Sequence, residues 1–166
     1  GGAIGFESTY HKGSTFWVEL PRAGAESDQP DAAASRDIRL PEITGTMLYV
    51  EDNPANLKLM EMIVSRVHGL QLISAHNAEF GLELARSRRP GLIILDINLP
   101  GMNGYEALGK LRGHSETAHI PVIALSAEAM ANDIKRGLEA GFDSYLTKPI
   151  NVEELTNTIA RILAAG

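Results

Sequence analysis

Five short, largely apolar runs, each followed by a stretch with helical spacing, constrain this chain more than any other feature. The runs are Met47 to Val50, Leu70 to Ala75, Leu92 to Leu95, Ile120 to Leu125 and Phe142 to Leu146. Each is too short for a buried helix and long enough for a strand. Asn53-Pro54 supplies a cap and a first-turn proline for the first helix, where Leu57, Met60 and Val64 share a face with Ile63 and Val67 beside them. A second helix starts at Asn77, turns Leu82 and Ala85 inward and ends before Pro90. Gly104 to Arg112 reads as a third. Met130, Ile134 and Leu138, spaced by four, mark a fourth that ends at Gly141. Asn151 with Glu154 resembles a capping box opening the last, with Leu155, Ile159 and Ile162 inward.

Strict strand–helix alternation implies right-handed crossovers and a parallel sheet covered on both faces. Nearly bare apolar strands fit that double burial. The expected fold is therefore α/β, a doubly wound five-stranded parallel sheet with the flavodoxin-like strand order.

In such sheets a site lies outside the carboxyl ends of the strands. Glu51 and Asp52 follow the first strand, Asp96 the third, Ser126 the fourth and Lys148 the fifth. A carboxylate ending a buried strand is costly unless something pairs with it, and three carboxylates together repel. A hard divalent cation removes that conflict. Oxygen ligands without histidine or cysteine favour Mg²⁺, held by Glu51, Asp52 and Asp96, with the Asn98 backbone carbonyl as a further ligand. Lys148 suits one phosphoryl oxygen and the Ser126 hydroxyl another. Asp96 is left as a nucleophile, a known use of a carboxylate. Phosphoryl transfer needs positioning and charge neutralisation, and this set supplies both.

Composition narrows the partners. The net charge of −6 argues against a nucleic-acid backbone. Cysteine is absent, which removes disulfides, thiol catalysis and cysteine-bound metals. The five histidines show no ligand spacing: His68 and His76 read as helix and strand ends, His114 and His119 as loop residues. No apolar run reaches the roughly 18 residues of a membrane span, and no signal peptide is visible. The expected location is the cytoplasm, for a parent protein either free there or membrane-anchored.

Residues 46 to 164 resemble the receiver domain of two-component response regulators. The resemblance rests on "VEDN" with Glu51 and Asp52, "LIILDINLPGMNG" with Asp96, "IALSA" with Ser126 and "YLTKPI" with Tyr145, Lys148 and Pro149. It implies the CheY-like fold, strand order 2-1-3-4-5, and a phosphoryl group accepted by Asp96 from the phosphohistidine domain of a histidine kinase. It also implies Ser126 and Tyr145 as a switch pair and a cis Lys148–Pro149 bond. A histidine phosphotransfer protein is one destination that the resemblance implies for the phosphoryl group. Asn98 and Glu128 are expected to flank the path of an attacking water and shorten the life of the aspartyl phosphate.

Residues 1 to 21, "GGAIGFESTYHKGSTFWVELP", resemble the closing β-hairpin of the ATP-binding domain of sensor histidine kinases. Residues 22 to 45 have a linker composition, and 46 to 166 form the receiver. That order resembles a hybrid sensor histidine kinase. The chain opens Gly1-Gly2 without methionine and reads as a piece of something longer. The ATP lid and a phosphoacceptor histidine are missing, so this stretch is expected to accept phosphate and not to donate it. "TYHKG" reads as the hairpin turn, with Ile4, Phe6, Phe16, Val18 and Leu20 alternating around it. An isolated hairpin is marginal in water. Residues 2 to 20 are therefore expected to bury Phe16 and Trp17 against the receiver or, better, against a second copy.

Two other functions compete. In aspartate-nucleophile phosphatases of the haloacid dehalogenase type the nucleophile ends the first strand and a second Asp follows two residues later; here it ends the third and Asn98 stands in that place. A degenerate receiver that only binds would not need the full set of site residues.

Overall fold

The computed structural model describes residues 3–9, 13–19, 43–128 and 130–164. They form two units.

The first unit contains an antiparallel hairpin, β1 (Ala3–Thr9) and β2 (Gly13–Glu19). Ile4 faces Val18 and Phe6 faces Phe16, so the four apolar side chains share one face. The Phe6 and Phe16 rings stack with centroids 5.9 Å apart. Gly5 faces Trp17, and the indole fills the space a side chain at Gly5 would need. The expected burial of Phe16 and Trp17 is not found in the single chain: they are 77% and 44% exposed. Among the described residues of this unit the two strands pair with one another, Phe16 facing Phe6 and Trp17 facing Gly5. The expected turn residues 10–12, Leu20 and most of the expected linker lie outside the described residues.

The second unit is the expected sheet. Its strands are β3 (Gly45–Val50), β4 (Leu70–Ala75), β5 (Leu92–Asp96), β6 (Val122–Ser126) and β7 (Ser144–Thr147). All pair in parallel, in the order β4-β3-β5-β6-β7, which is the anticipated 2-1-3-4-5. The crossover helices are α1 (Pro54–Val64), α2 (Ala78–Arg88), α3 (Gly104–Arg112) and α4 (Ala131–Glu139), and α5 (Val152–Leu163) follows the last strand.

Period-two alternation sorts the strand side chains into two cores. Met47, Tyr49, Leu92 and Ile94 point to the layer containing Met60 of α1 and Leu155 of α5. Leu48, Val50, Ile93 and Leu95 point to the layer of Leu82 of α2 and Leu108 of α3. Every residue of β5 and β6 is buried, which is why those strands read as unbroken apolar runs.

Asparagine side chains cap four helices: Asn53, Asn77, Asn103 and Asn151 each accept a backbone N–H of the first turn. Each such cap contributes about 1 kcal/mol. The reciprocal capping box anticipated at Asn151 and Glu154 has only the Asn151 half; the complete box is at Asn103 and Glu106 of α3. The expected apolar ridge of α4 is also corrected. Met130 is 76% and Leu138 47% exposed, and Gly137 is the buried residue of that helix. The reason is steric, since the Tyr145 ring lies where a side chain at Gly137 would begin, 2.6 Å from the position of its Cβ. With no side-chain cap and one buried residue, α4 is the least anchored helix of the unit.

Candidate functional site

Backbone geometry at the strand ends builds the site. Gly101 has φ +78°, a left-handed conformation that favours glycine, in the loop after β5. At Gly104 a Cβ would lie 2.7 Å from the Asp96 carbonyl oxygen, so only glycine lets α3 start this close to the end of β5. The Gly104 N–H donates to the Ile97 carbonyl at 3.0 Å and closes the loop. Both glycines therefore serve backbone geometry. The Lys148–Pro149 bond is cis.

The expected groups converge. Lys148 Nζ donates to Asp96 Oδ2 at 2.6 Å and to Glu51 Oε2 at 2.7 Å. Asp96 Oδ1 accepts the Asn98 N–H at 2.9 Å. Glu51 Oε1 accepts the Asn53 N–H at 3.2 Å, and Oε2 also accepts the Tyr49 hydroxyl at 2.8 Å. Glu51, Asp96 and Ser126 are buried, whereas Asp52, Asn98 and Glu128 are exposed. One carboxylate oxygen each from Glu51, Asp52 and Asp96 lies within 4.8 Å of the other two. That spacing fits a single divalent cation. A carboxylate offers about four lone-pair directions. Three donors already approach Glu51, and the Asn56 amide supports it as a fourth. Asp96 meets two donors.

The electrostatics follow from these contacts. Burial pushes Glu51 up, but hydrogen bonds from Lys148, Tyr49 and Asn56 outweigh it and hold the carboxyl below its ordinary range. Burial also pushes Asp96 up, and there Lys148 and the Asn98 N–H do not fully compensate, with the Glu51 charge adding to the rise. Burial pulls Lys148 down, but its bonds to Asp96 and Glu51 more than restore it, so the ammonium is held above its usual value. Glu51 and Asp96 are thus unequal: one is a fixed anion, the other a carboxylate with free lone pairs.

Ser126 ends β6 beside Asp96, and its Oγ accepts the Glu128 N–H at 3.0 Å. Tyr145 is half-buried on β7 and its hydroxyl donates to the Glu128 carbonyl at 3.2 Å. The strand-end pairing that brings these together continues to Lys148, whose N–H donates to the Ser126 carbonyl at 2.7 Å.

The response regulator receiver domain model matches residues 47–160. The chain belongs to the response regulator receiver family. Over 118 residues it is 39% identical to the polar-differentiation response regulator DivK of Brucella anthropi, covering 71% of this chain and 95% of that protein. It is 36% identical over 118 residues to Protein PilH of Pseudomonas aeruginosa, covering 71% and 97%. Among solved structures it resembles the receiver domain of a sensor histidine kinase from P. aeruginosa, which has a magnesium ion coordinated in its active-site cleft. The TM-score is 0.67 at 30% identity, over 73% of this chain and 98% of that one. The receiver domain of a signal transduction histidine kinase from Syntrophus aciditrophicus aligns with TM-score 0.66 at 32% identity, over 74% and 92%. This receiver thus has the fold and the acidic pocket of a phosphoacceptor signalling domain. No helix among the described residues is long and apolar enough to cross a membrane.

Tyr49 was not among the residues anticipated for the site. The signal lies in the sequence all the same: a hydroxyl within the apolar run Met47 to Val50, two residues before an acid, shares that acid's face.

Proposed function

We propose that this receiver accepts a phosphoryl group on Asp96 from the phosphohistidine of a histidine kinase. The observation that carries the reading is the Lys148 ammonium held between Asp96 and Glu51, with Asp52 beside them. Asp52, Asp96 and the Asn98 carbonyl would hold Mg²⁺, with Glu51 completing the acidic pocket. The ion supplies positive charge to the phosphoryl oxygens. A free carboxylate oxygen of Asp96 attacks phosphorus, the Oδ–P bond forms, the P–N bond to the donor imidazole breaks, and the imidazole keeps the electron pair and takes a proton. Lys148 uses two of its three N–H groups on the carboxylates and has the third for a phosphoryl oxygen. The Ser126 hydroxyl donates to another.

That last contact would draw the Ser126 hydroxyl inward and let Tyr145 fill the space it leaves, a population shift on the face of α4, β7 and α5. Asn98 and Glu128, exposed at the rim, would orient the water that hydrolyses the acyl phosphate and returns Asp96. The hairpin at 1–21 and the linker at 22–45 support a place in a hybrid histidine kinase, where the receiver passes phosphate to a histidine phosphotransfer protein or restrains its own kinase. The test is incubation with acetyl phosphate and Mg²⁺ followed by intact mass. One phosphoryl adduct on the wild type and none on Asp96→Asn is expected. An equal rate of labelling in Asp96→Asn overturns the assignment, and no adduct on either leaves a binding-only receiver.

A further inference from the structure

The geometry points to Tyr49 as a positioning residue of the phosphoacceptor site: its hydroxyl fixes the Glu51 carboxylate so that Oε2 holds the Lys148 ammonium against Asp96. This rests on the reading of Asp96 as phosphoacceptor and adds a residue to its machinery.

Tyr49 is fully buried in β3, within the core layer that contains Met60, Ile94 and Leu155. Phenylalanine would fill that space without bringing a polar atom into it. The hydroxyl instead meets Glu51 Oε2 at 2.8 Å, on the same face of the strand. The same oxygen accepts Lys148 at 2.7 Å, and Lys148 reaches Asp96 at 2.6 Å. Tyr49, Glu51, Lys148 and Asp96 therefore form one continuous chain of hydrogen bonds from the core to the nucleophile. The carboxylate oxygen can only accept, so the Tyr49 hydroxyl is the donor of this bond.

Glu51 has a longer side chain than aspartate and more torsions to fix. The Asn53 N–H fixes Oε1 from the rim, and Tyr49 fixes Oε2 from below. Without the hydroxyl, Oε2 keeps Lys148 alone of its two donors, and on that side the carboxylate is held only by the ammonium it should position. Positioning of this kind affects the transfer step, in which Lys148 must meet a phosphoryl oxygen. It affects ion binding less, because Asp52 and Asp96 keep their places.

The experiment uses the whole chain with Tyr49→Phe, Glu51→Gln and the double variant. Phosphorylation by acetyl phosphate is measured at saturating Mg²⁺, Mg²⁺ binding is measured by calorimetry, and the Lys148 ammonium is followed by ¹⁵N NMR. Losing one hydrogen bond to a charged group is expected to slow Tyr49→Phe about tenfold. The Mg²⁺ dissociation constant is expected to stay within about twofold, and the ammonium resonance to broaden. In the Glu51→Gln background, Tyr49→Phe is expected to cause no further loss. An unchanged rate, a parallel fall in rate and Mg²⁺ affinity, or an additive loss in the double variant each overturns the proposal. If the wild type takes no phosphoryl group, the phosphoacceptor reading falls and the ammonium resonance still decides the role of Tyr49: a resonance as sharp in Tyr49→Phe as in wild type refutes it.

Discussion

Lys148→Met removes the ammonium and keeps most of the stem, so its effect isolates the charge. In the folded chain that ammonium is the direct partner of two carboxylates whose side chains are 1% and 4% exposed. Removing one member of a buried ion pair costs about 3–5 kcal/mol. One feature lowers the figure here: Lys148 itself is 23% exposed. The expected loss is therefore about 2–3 kcal/mol at neutral pH. With a urea slope of about 2 kcal/mol/M, the unfolding midpoint falls by about 1 M. Mg²⁺ should restore much of the loss, because a cation among Asp52, Asp96 and Glu51 replaces the missing charge; at about 100 times its dissociation constant it contributes about 2.7 kcal/mol. The assay is urea unfolding followed by circular dichroism, with and without Mg²⁺. A midpoint shift below about 0.2 M, with no change in the response to Mg²⁺, would refute the reasoning, since the carboxylates would then not depend on Lys148.

Four further outcomes follow from the same structure. Gly104→Ala places a Cβ 2.7 Å from backbone atoms of Asp96 and Ile97, so thermal unfolding should show a loss of about 2–4 kcal/mol and acetyl phosphate labelling should fall with it. Glu51→Gln should flatten the acid limb of stability: with its folded value lowered, the Glu51 contribution is complete above the ordinary value of 4.5 and is lost as pH falls through the lower folded value, a loss the amide cannot show in acid unfolding curves. Replacing Asn98 and Glu128 together with bulky apolar residues should lengthen the acyl-phosphate lifetime, read from the decay of the adduct mass, because both are exposed at the rim where water enters. Deleting residues 1–40 should leave Asp96 labelling intact and move any dimer to monomer on size exclusion, since Ile4, Phe6, Phe16 and Val18 offer an uncovered apolar face.

The sheet was legible because its strands are buried on both faces and four of its five helices begin at asparagines. The site was legible because parallel strands place their last residues on one edge, so Asp52, Asp96, Ser126 and Lys148 could be brought together without coordinates. The packing of α4 was not legible. Spacing by four in Met130, Ile134 and Leu138 gives a helix but not the side it turns inward, and that side is set by the Tyr145 ring lying on Gly137. Contacts between distant residues were equally hidden. Arg112 donates to the carbonyls of Ala118, Ile120 and Gly141 and to Asp143, tying α3 to the starts of β6 and β7, and nothing in its local pattern marks it. An aromatic residue in a buried strand reads as core, and the sequence places Tyr49 on the face of Glu51 without giving the 2.8 Å contact between them.

The central claim is that one carboxylate, Asp96, becomes the acyl phosphate. The most direct measurement is borohydride trapping after exposure to acetyl phosphate and Mg²⁺, which reduces an acyl phosphate to the alcohol, followed by peptide mass spectrometry. Homoserine is expected at position 96, with Glu51 and Asp52 unmodified. Reduction at either of those residues, or none at position 96 in a chain that carries the adduct, would contradict it.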